Sequence, residues 1–177
     1  MFKKLNLFSK TEMKALIFLS EKDGELYELQ IAQGAGISAA SANSILNKFS
    51  KIGLIKKITK GKMSFYRRND ENPLLRQFKV FIKVNSLLPL IEKAVPLCKR
   101  IVLFGSCATG RNGEKSDIDL YFLSSEKNAL RRLLESDPKI QAIILDSVEY
   151  SALSKKDKPL YGRINAGIEL YGGEPYG

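Results

Sequence analysis

The chain has 177 residues and 44% hydrophobic content, enough to bury the core of one domain or two small ones. Its start, MFKKLNLFSKTEMK, lacks an apolar run with a small-residue cleavage site, and its most apolar stretch, VFIKVNSLLPLIEKAVPL, is broken by charges and prolines; neither a leader nor a membrane span is expected, and a cytoplasmic protein is. The formal charge of +10 is unevenly placed, with 17 Lys/Arg against 8 Asp/Glu in residues 1–96 and 12 against 11 in residues 97–177, so the front half is expected to meet a polyanion.

TEMKALIFLSEKD (11–23) has helical apolar spacing and ends at Asp23-Gly24. ELYELQIAQ reads as a second helix, closed by Gly34 and Gly36. A third begins after Ser38, with Ala42, Ile45, Leu46, Phe49 and Ile52 spaced to face a core. LIKKITKGKMSFYRR alternates as a hairpin turning at Lys60-Gly61-Lys62, with Ile55, Ile58, Met63, Phe65 and Tyr66 as its apolar set. Three helices and a hairpin are the order of a winged helix-turn-helix. On its third helix Asn43, Ser44, Asn47 and Lys48 are candidates for base edges of double-stranded DNA, while a wing basic at Lys56, Lys57, Lys60, Lys62, Arg67 and Arg68 would meet phosphates. A dimerisation or protein-docking role is the alternative for such a module. NPLLRQFKVFIKVNSLLPLIEKA (72–94) predicts a long connecting helix with apolar surface to spare for a homodimer seam, and Pro89 as a point of kinking or division.

Two cysteines, Cys98 and Cys107, without CxxC spacing or any histidine, argue against zinc. An apolar strand, Ile101–Phe104, then runs into Gly105-Ser106, and CATG is expected to start a helix whose N–H groups face the same place. DIDLYFL is strand-like, so Asp117 and Asp119 fall on one face with Ile118 and Leu120 on the other. Two such acids repel unless a cation lies between them. A divalent cation beside a glycine turn suits phosphoryl or nucleotidyl transfer, with Gly110, Arg111 and Lys115 as further candidates for turn geometry and phosphate charge.

Gly105-Ser106, ten residues, then Asp117-Ile118-Asp119 resembles the DNA-polymerase-beta-like nucleotidyltransferase superfamily, specifically its minimal members. The resemblance covers about residues 97–150, and the whole chain resembles archaeal proteins that place a winged helix before such a domain. It implies that Gly105 and Ser106 bind the phosphates of a nucleoside triphosphate, ATP first among the candidates, and that Asp117 and Asp119 hold magnesium. It also implies transfer of a nucleoside monophosphate to a hydroxyl on a protein or small acceptor, and an antitoxin-like role with a helical partner protein, the toxin.

The sequence departs from the family in two places. Thr109 stands where an arginine is usual, with Arg111 nearby, and the expected third acid is missing from KIQAIIL (139–145), which offers Gln141. Asp146 is the nearest acid, yet DSVE reads as a capping box. The alternative is a DNA-binding regulator whose second half is inactive or only senses nucleotide. The tail predicts a helix from Pro159 to Leu170, weakened by Gly162 and Gly167 and docked through Leu160, Ile164, Ile168 and Leu170, then an end at Gly172-Gly173.

The expected architecture is α+β: a winged helix-turn-helix domain (1–70), a linking helix (71–96) and a small mixed-sheet nucleotidyltransferase domain (97–177).

Overall fold

The computed structural model describes residues 8–172, in two compact units that divide between Lys79 and Val80. The expected end at Gly172-Gly173 lies partly outside the described residues.

Helix α1 (Lys10–Glu21) starts at a complete capping box: the Glu12 N–H donates to Ser9 Oγ (3.2 Å) and the Ser9 N–H to Glu12 Oε2 (2.7 Å). Strand β1 (Leu26–Tyr27) and helix α2 (Glu28–Ala35) follow. The expected single helix over ELYELQIAQ is corrected here. Leu26 and Tyr27 pair with Tyr66 and Phe65, and the helix begins only after that pairing ends. It runs through Gly34 and stops at Gly36, whose φ of +62° forms the left-handed cap.

Helix α3 (Ala39–Lys51) is capped by Ser38, whose Oγ accepts the Ser41 N–H at 3.2 Å. Ala42, Ile45, Leu46 and Phe49 are buried as spaced, whereas Ile52 is 46% exposed. The helix has ended before Ile52 and Gly53 turns the chain at φ +73°, so Leu54 enters the core instead. Strands β2 (Ile55–Lys60) and β3 (Met63–Arg68) form the hairpin, giving a three-stranded sheet ordered β1-β3-β2. Ile55 and Tyr66 face its core, and Met63, at 54% exposure, does not.

Helix α4 (Pro73–Ala94) is continuous through Pro89. The boundary between the units falls inside it, with Leu75 buried in the first core and Leu87 and Ala94 in the second.

The second unit contains β4 (Arg100–Phe104), α5 (Gly105–Ala108), β5 (Ile118–Leu123), α6 (Lys127–Leu134), β6 (Ile140–Leu145), α7 (Ser147–Lys156), α8 (Lys158–Asn165) and β7 (Ile168–Tyr171). Its sheet is ordered β6-β5-β4-β7; only the β5–β6 pair is parallel. One face carries Leu103, Ile118, Leu120 and Phe122 with α4 and α6, and the other Val102, Phe104 and Tyr121 with α7 and α8. The expected helix through Leu170 is corrected: it stops at Asn165 and β7 pairs with β4. Gly167 makes this possible. A Cβ there would lie 2.6 Å from the Leu103 carbonyl oxygen and 2.6 Å from Val102 Cγ1, so the residue is a close-approach point between α8 and the sheet. Ile164 consequently docks on one face while Ile168 and Leu170 serve the other.

No helix among the described residues is long and apolar enough to cross a membrane.

Candidate functional site

Strand β4 delivers the chain into Gly105 at φ +70°, a left-handed value that side chains rarely adopt. Its neighbour explains the requirement. A Cβ on Gly105 would lie 2.0 Å from Asp119 Oδ2 and 2.9 Å from Asp119 Cγ, so the glycine lets backbone and carboxylate meet. Antiparallel register fixes the encounter, because Phe104 pairs directly with Asp119. Asp117 stands exposed just before β5, and its carbonyl accepts a hydrogen bond from Cys107 Sγ at 3.4 Å. Cys107 is thus a buried structural group, and Cys98 is pushed up to about 11 by burial.

The segment after the turn folds tightly on Ser106. Its carbonyl accepts from the Arg111 N–H (3.0 Å), the Thr109 N–H (3.3 Å) and Thr109 Oγ1 (3.1 Å). Gly110 is buried at φ +67°, which allows the reversal, and Arg111 emerges exposed. The expected helix at CATG is a single turn starting at Gly105 itself, too short for a substantial dipole. Lys115 is exposed in the following loop, where the Gly113 N–H donates to Ser116 Oγ at 2.7 Å. Among the described residues neither Asp117 nor Asp119 has a side-chain hydrogen bond or ion pair. Two like charges without a counter-charge favour a bound cation. Hard carboxylate oxygens suit magnesium, which binds through one or two carboxylates plus substrate phosphates.

The two candidates for a third contributor part ways. Gln141 pairs with Asp119 in the parallel β5–β6 register, so it occupies the adjacent position on the same face. Asp146 lies five residues further along, about 16 Å at the rise of a strand. It caps α7, accepting from the Glu149 N–H (2.9 Å) and Val148 N–H (3.0 Å), and it pairs with Lys127 (3.1 Å). The Glu149 backbone donor, then Lys127, hold its carboxyl below the usual range. Asp146 is therefore at the wrong end of β6 to join the other acids. Among the described residues no group of three His, Cys, Asp or Glu side chains assembles to hold a metal.

Residues 89–175 match the family described as Polymerase beta, Nucleotidyltransferase. This part of the chain is similar to that family. No curated protein matches the chain. Among solved structures, human N-acetylserotonin methyltransferase in complex with SAM is 28% identical over 34% of this chain and 17% of its own, TM-score 0.31. This chain thus spans about a sixth of that protein. A toxin-antitoxin with AMP-PNP is 22% identical over 51% of this chain and 74% of its own, TM-score 0.32. TrmBL2, an archaeal chromatin protein, is 18% identical over 89% and 72%, TM-score 0.35.

In the winged helix-turn-helix unit, the α3 candidates are exposed but mostly engaged. Asn43 Nδ2 donates to Glu28 Oε2 (2.9 Å), Asn47 Nδ2 to Asn43 Oδ1 (3.1 Å), and Lys48 pairs with Glu12 (2.5 Å). Lys60 pairs with Glu25 (2.6 Å) and lies over the Phe65 ring, and Lys57 lies 5.9 Å over the Tyr66 ring. Ser44, Lys62 and Arg67 are exposed, with no side-chain partner among the described residues. Arg68 does not belong to the wing's outer surface: its guanidinium is held by Asp23 (2.5 Å), Asp70 (2.8 Å) and the carbonyls of Ser20 and Lys22. Asp70 also meets the buried Lys79 at 3.3 Å, where burial leads the lowering of the ammonium pKa.

Sequence reasoning passed over Lys127 and Arg163. Lys127 takes its place by pairing with Asp146 and Glu149, about twenty residues away in the chain, and the contact of Arg163 with Phe104 depends on how α8 docks; no local pattern encodes either.

Proposed function

We propose that the second unit is a magnesium-dependent nucleotidyltransferase that moves a nucleoside monophosphate from a nucleoside triphosphate, ATP first among the candidates, to a hydroxyl on a protein or small acceptor. The observation that carries this reading is the seating of Gly105 against Asp119 within a polymerase beta family domain. Asp117 and Asp119 would hold the cation, and Gly105 lets the Asp119 carboxylate lie against the backbone turn that would meet the phosphates. Ser106 contributes a hydroxyl, and Gly110 aims Arg111 outward beside it. Magnesium, when bound, would neutralise charge on the polyphosphate. Gln141 can orient an acceptor or a water beside Asp119 but cannot take a proton. The winged helix would bind double-stranded DNA through Asn43, Ser44, Asn47, Lys48, Lys57, Lys60, Lys62 and Arg67. An antitoxin-like role, with a helical partner protein as acceptor, rests on the family resemblance alone, and a homodimer through α4 on its apolar surface.

A second reading is favoured by the two-acid donor set: a DNA-binding regulator whose second unit binds nucleotide and transfers nothing. The test is incubation with each of the four triphosphates labelled at the α-phosphate, with magnesium and with or without the product of a neighbouring gene, wild type against a double Asp117→Asn, Asp119→Asn variant. Label transfer that the double variant abolishes supports the enzyme. Nucleotide binding without transfer supports the regulator.

A further inference from the structure

Resting on that reading of the site, we propose that Arg163 binds the polyphosphate of the nucleotide, as a cation supplied from α8 to the face that carries Asp119. Phe104 and Asp119 are opposite one another in antiparallel register, so their side chains share one face of the sheet, with Cβ atoms about 5 Å apart. The Arg163 guanidinium lies on that face, its carbon 5.3 Å from the centre of the Phe104 ring. Phe104 is buried beneath it while Arg163 is exposed, so the ring holds a cation at the surface beside the glycine turn.

The helix that carries Arg163 is well anchored. Asp157 Oδ1 accepts the Leu160 N–H at 2.9 Å to start it, the adjacent Ile164 is fully buried, and Gly167 closes against β4 where no larger residue would fit. Two other basic side chains of this unit are neutralised locally, Arg100 by Glu169 (2.9 Å) and Lys127 by Asp146 and Glu149. Arg163 has no carboxylate partner among the described residues. A planar guanidinium stacked on an aromatic ring, with its edge donors open, suits bidentate contact with phosphate oxygens. The site needs such a charge. A triphosphate brings about four negative charges to a face that already has two acids, and the arginine usual before Gly110 is here Thr109.

The test uses the full chain and measures calorimetric affinity for ATP, ADP and AMP with magnesium, in wild type, Arg163→Gln and Arg163→Lys, with circular dichroism to check folding. The expected result is that Arg163→Gln weakens ATP about 10-fold and AMP less than about 2-fold, while the lysine variant falls between. If the glutamine variant does not fold, the lysine variant decides alone, and it must weaken ATP by more than AMP. Equal losses for ATP and AMP, or no loss for ATP, would overturn the role of Arg163 and leave the nucleotide site standing. A wild type that binds no nucleotide would remove the site and the role together.

Discussion

In the first unit Asn43 and Lys48 of α3 are held by Glu28 and Glu12, whereas in the second unit Asp117 and Asp119 have no partner among the described residues. The difference matters for what each unit can receive. A ligand of α3 has to exchange places with existing acids, and Glu12 is only 14% exposed where it holds Lys48. A ligand of the acid pair meets charge that nothing in the described chain neutralises. The same contrast appears among the cations. Arg68 and Lys79 are locked in the Asp70 network, while Arg111 and Arg163 emerge exposed from the second unit.

The largest break in this comparison is expected from Gly105→Ala. The added methyl meets Asp119 Oδ2, so nucleotide affinity and any label transfer should fall about 100-fold, while DNA retention on a heparin or DNA column stays unchanged. Equal nucleotide affinity would mean that the turn does not approach the phosphates. Next in size is Gln141→Glu, which sets a third carboxylate beside Asp119. It should raise transfer roughly 10-fold in a steady-state label assay if the missing base limits the reaction.

For the first unit, replacing Lys62 and Arg67 together by Ala should reduce the slope of log affinity against log salt by about 2, with a uniform loss across DNA sequences. A larger change in slope from Lys48→Ala alone would show that engagement by Glu12 is not what distinguishes these groups.

The smallest expected effect concerns α7. The Glu149 N–H and Lys127 depress the Asp146 carboxyl, and Lys127 and the Asp146 N–H depress that of Glu149. Their stabilisation is therefore present above the ordinary carboxylate range and lost as the pH falls through the lowered values. Thermal melts should show a modest decline on acidification, which Asp146→Asn flattens.

Local rules made much of the fold legible. Ser38 announces a helix start, and the alternation of residues 54–68 announces the hairpin, because caps and period-two burial are written in neighbouring residues. Leu26-Tyr27 and Ile168–Tyr171 were not legible as strands, since each becomes one only by pairing with a distant partner, β3 and β4 respectively. At the site, the spacing of Gly105, Asp117 and Asp119 gave the ingredients. Which end of β6 faces Asp119 needed the parallel register, which separates Gln141 from Asp146. Arg163 needed the docking of α8, set by Gly167 against β4.

We propose that the carboxylates of Asp117 and Asp119 and the turn at Gly105 together hold a metal-bound polyphosphate. Calorimetric titration of ATP into the wild-type chain, with magnesium and with a chelator, compared with the Asp117→Asn, Asp119→Asn variant, tests it most directly. Binding that requires magnesium and disappears in a folded double variant is the expected result. Binding of equal strength in the variant, or no binding in the wild type, would contradict it.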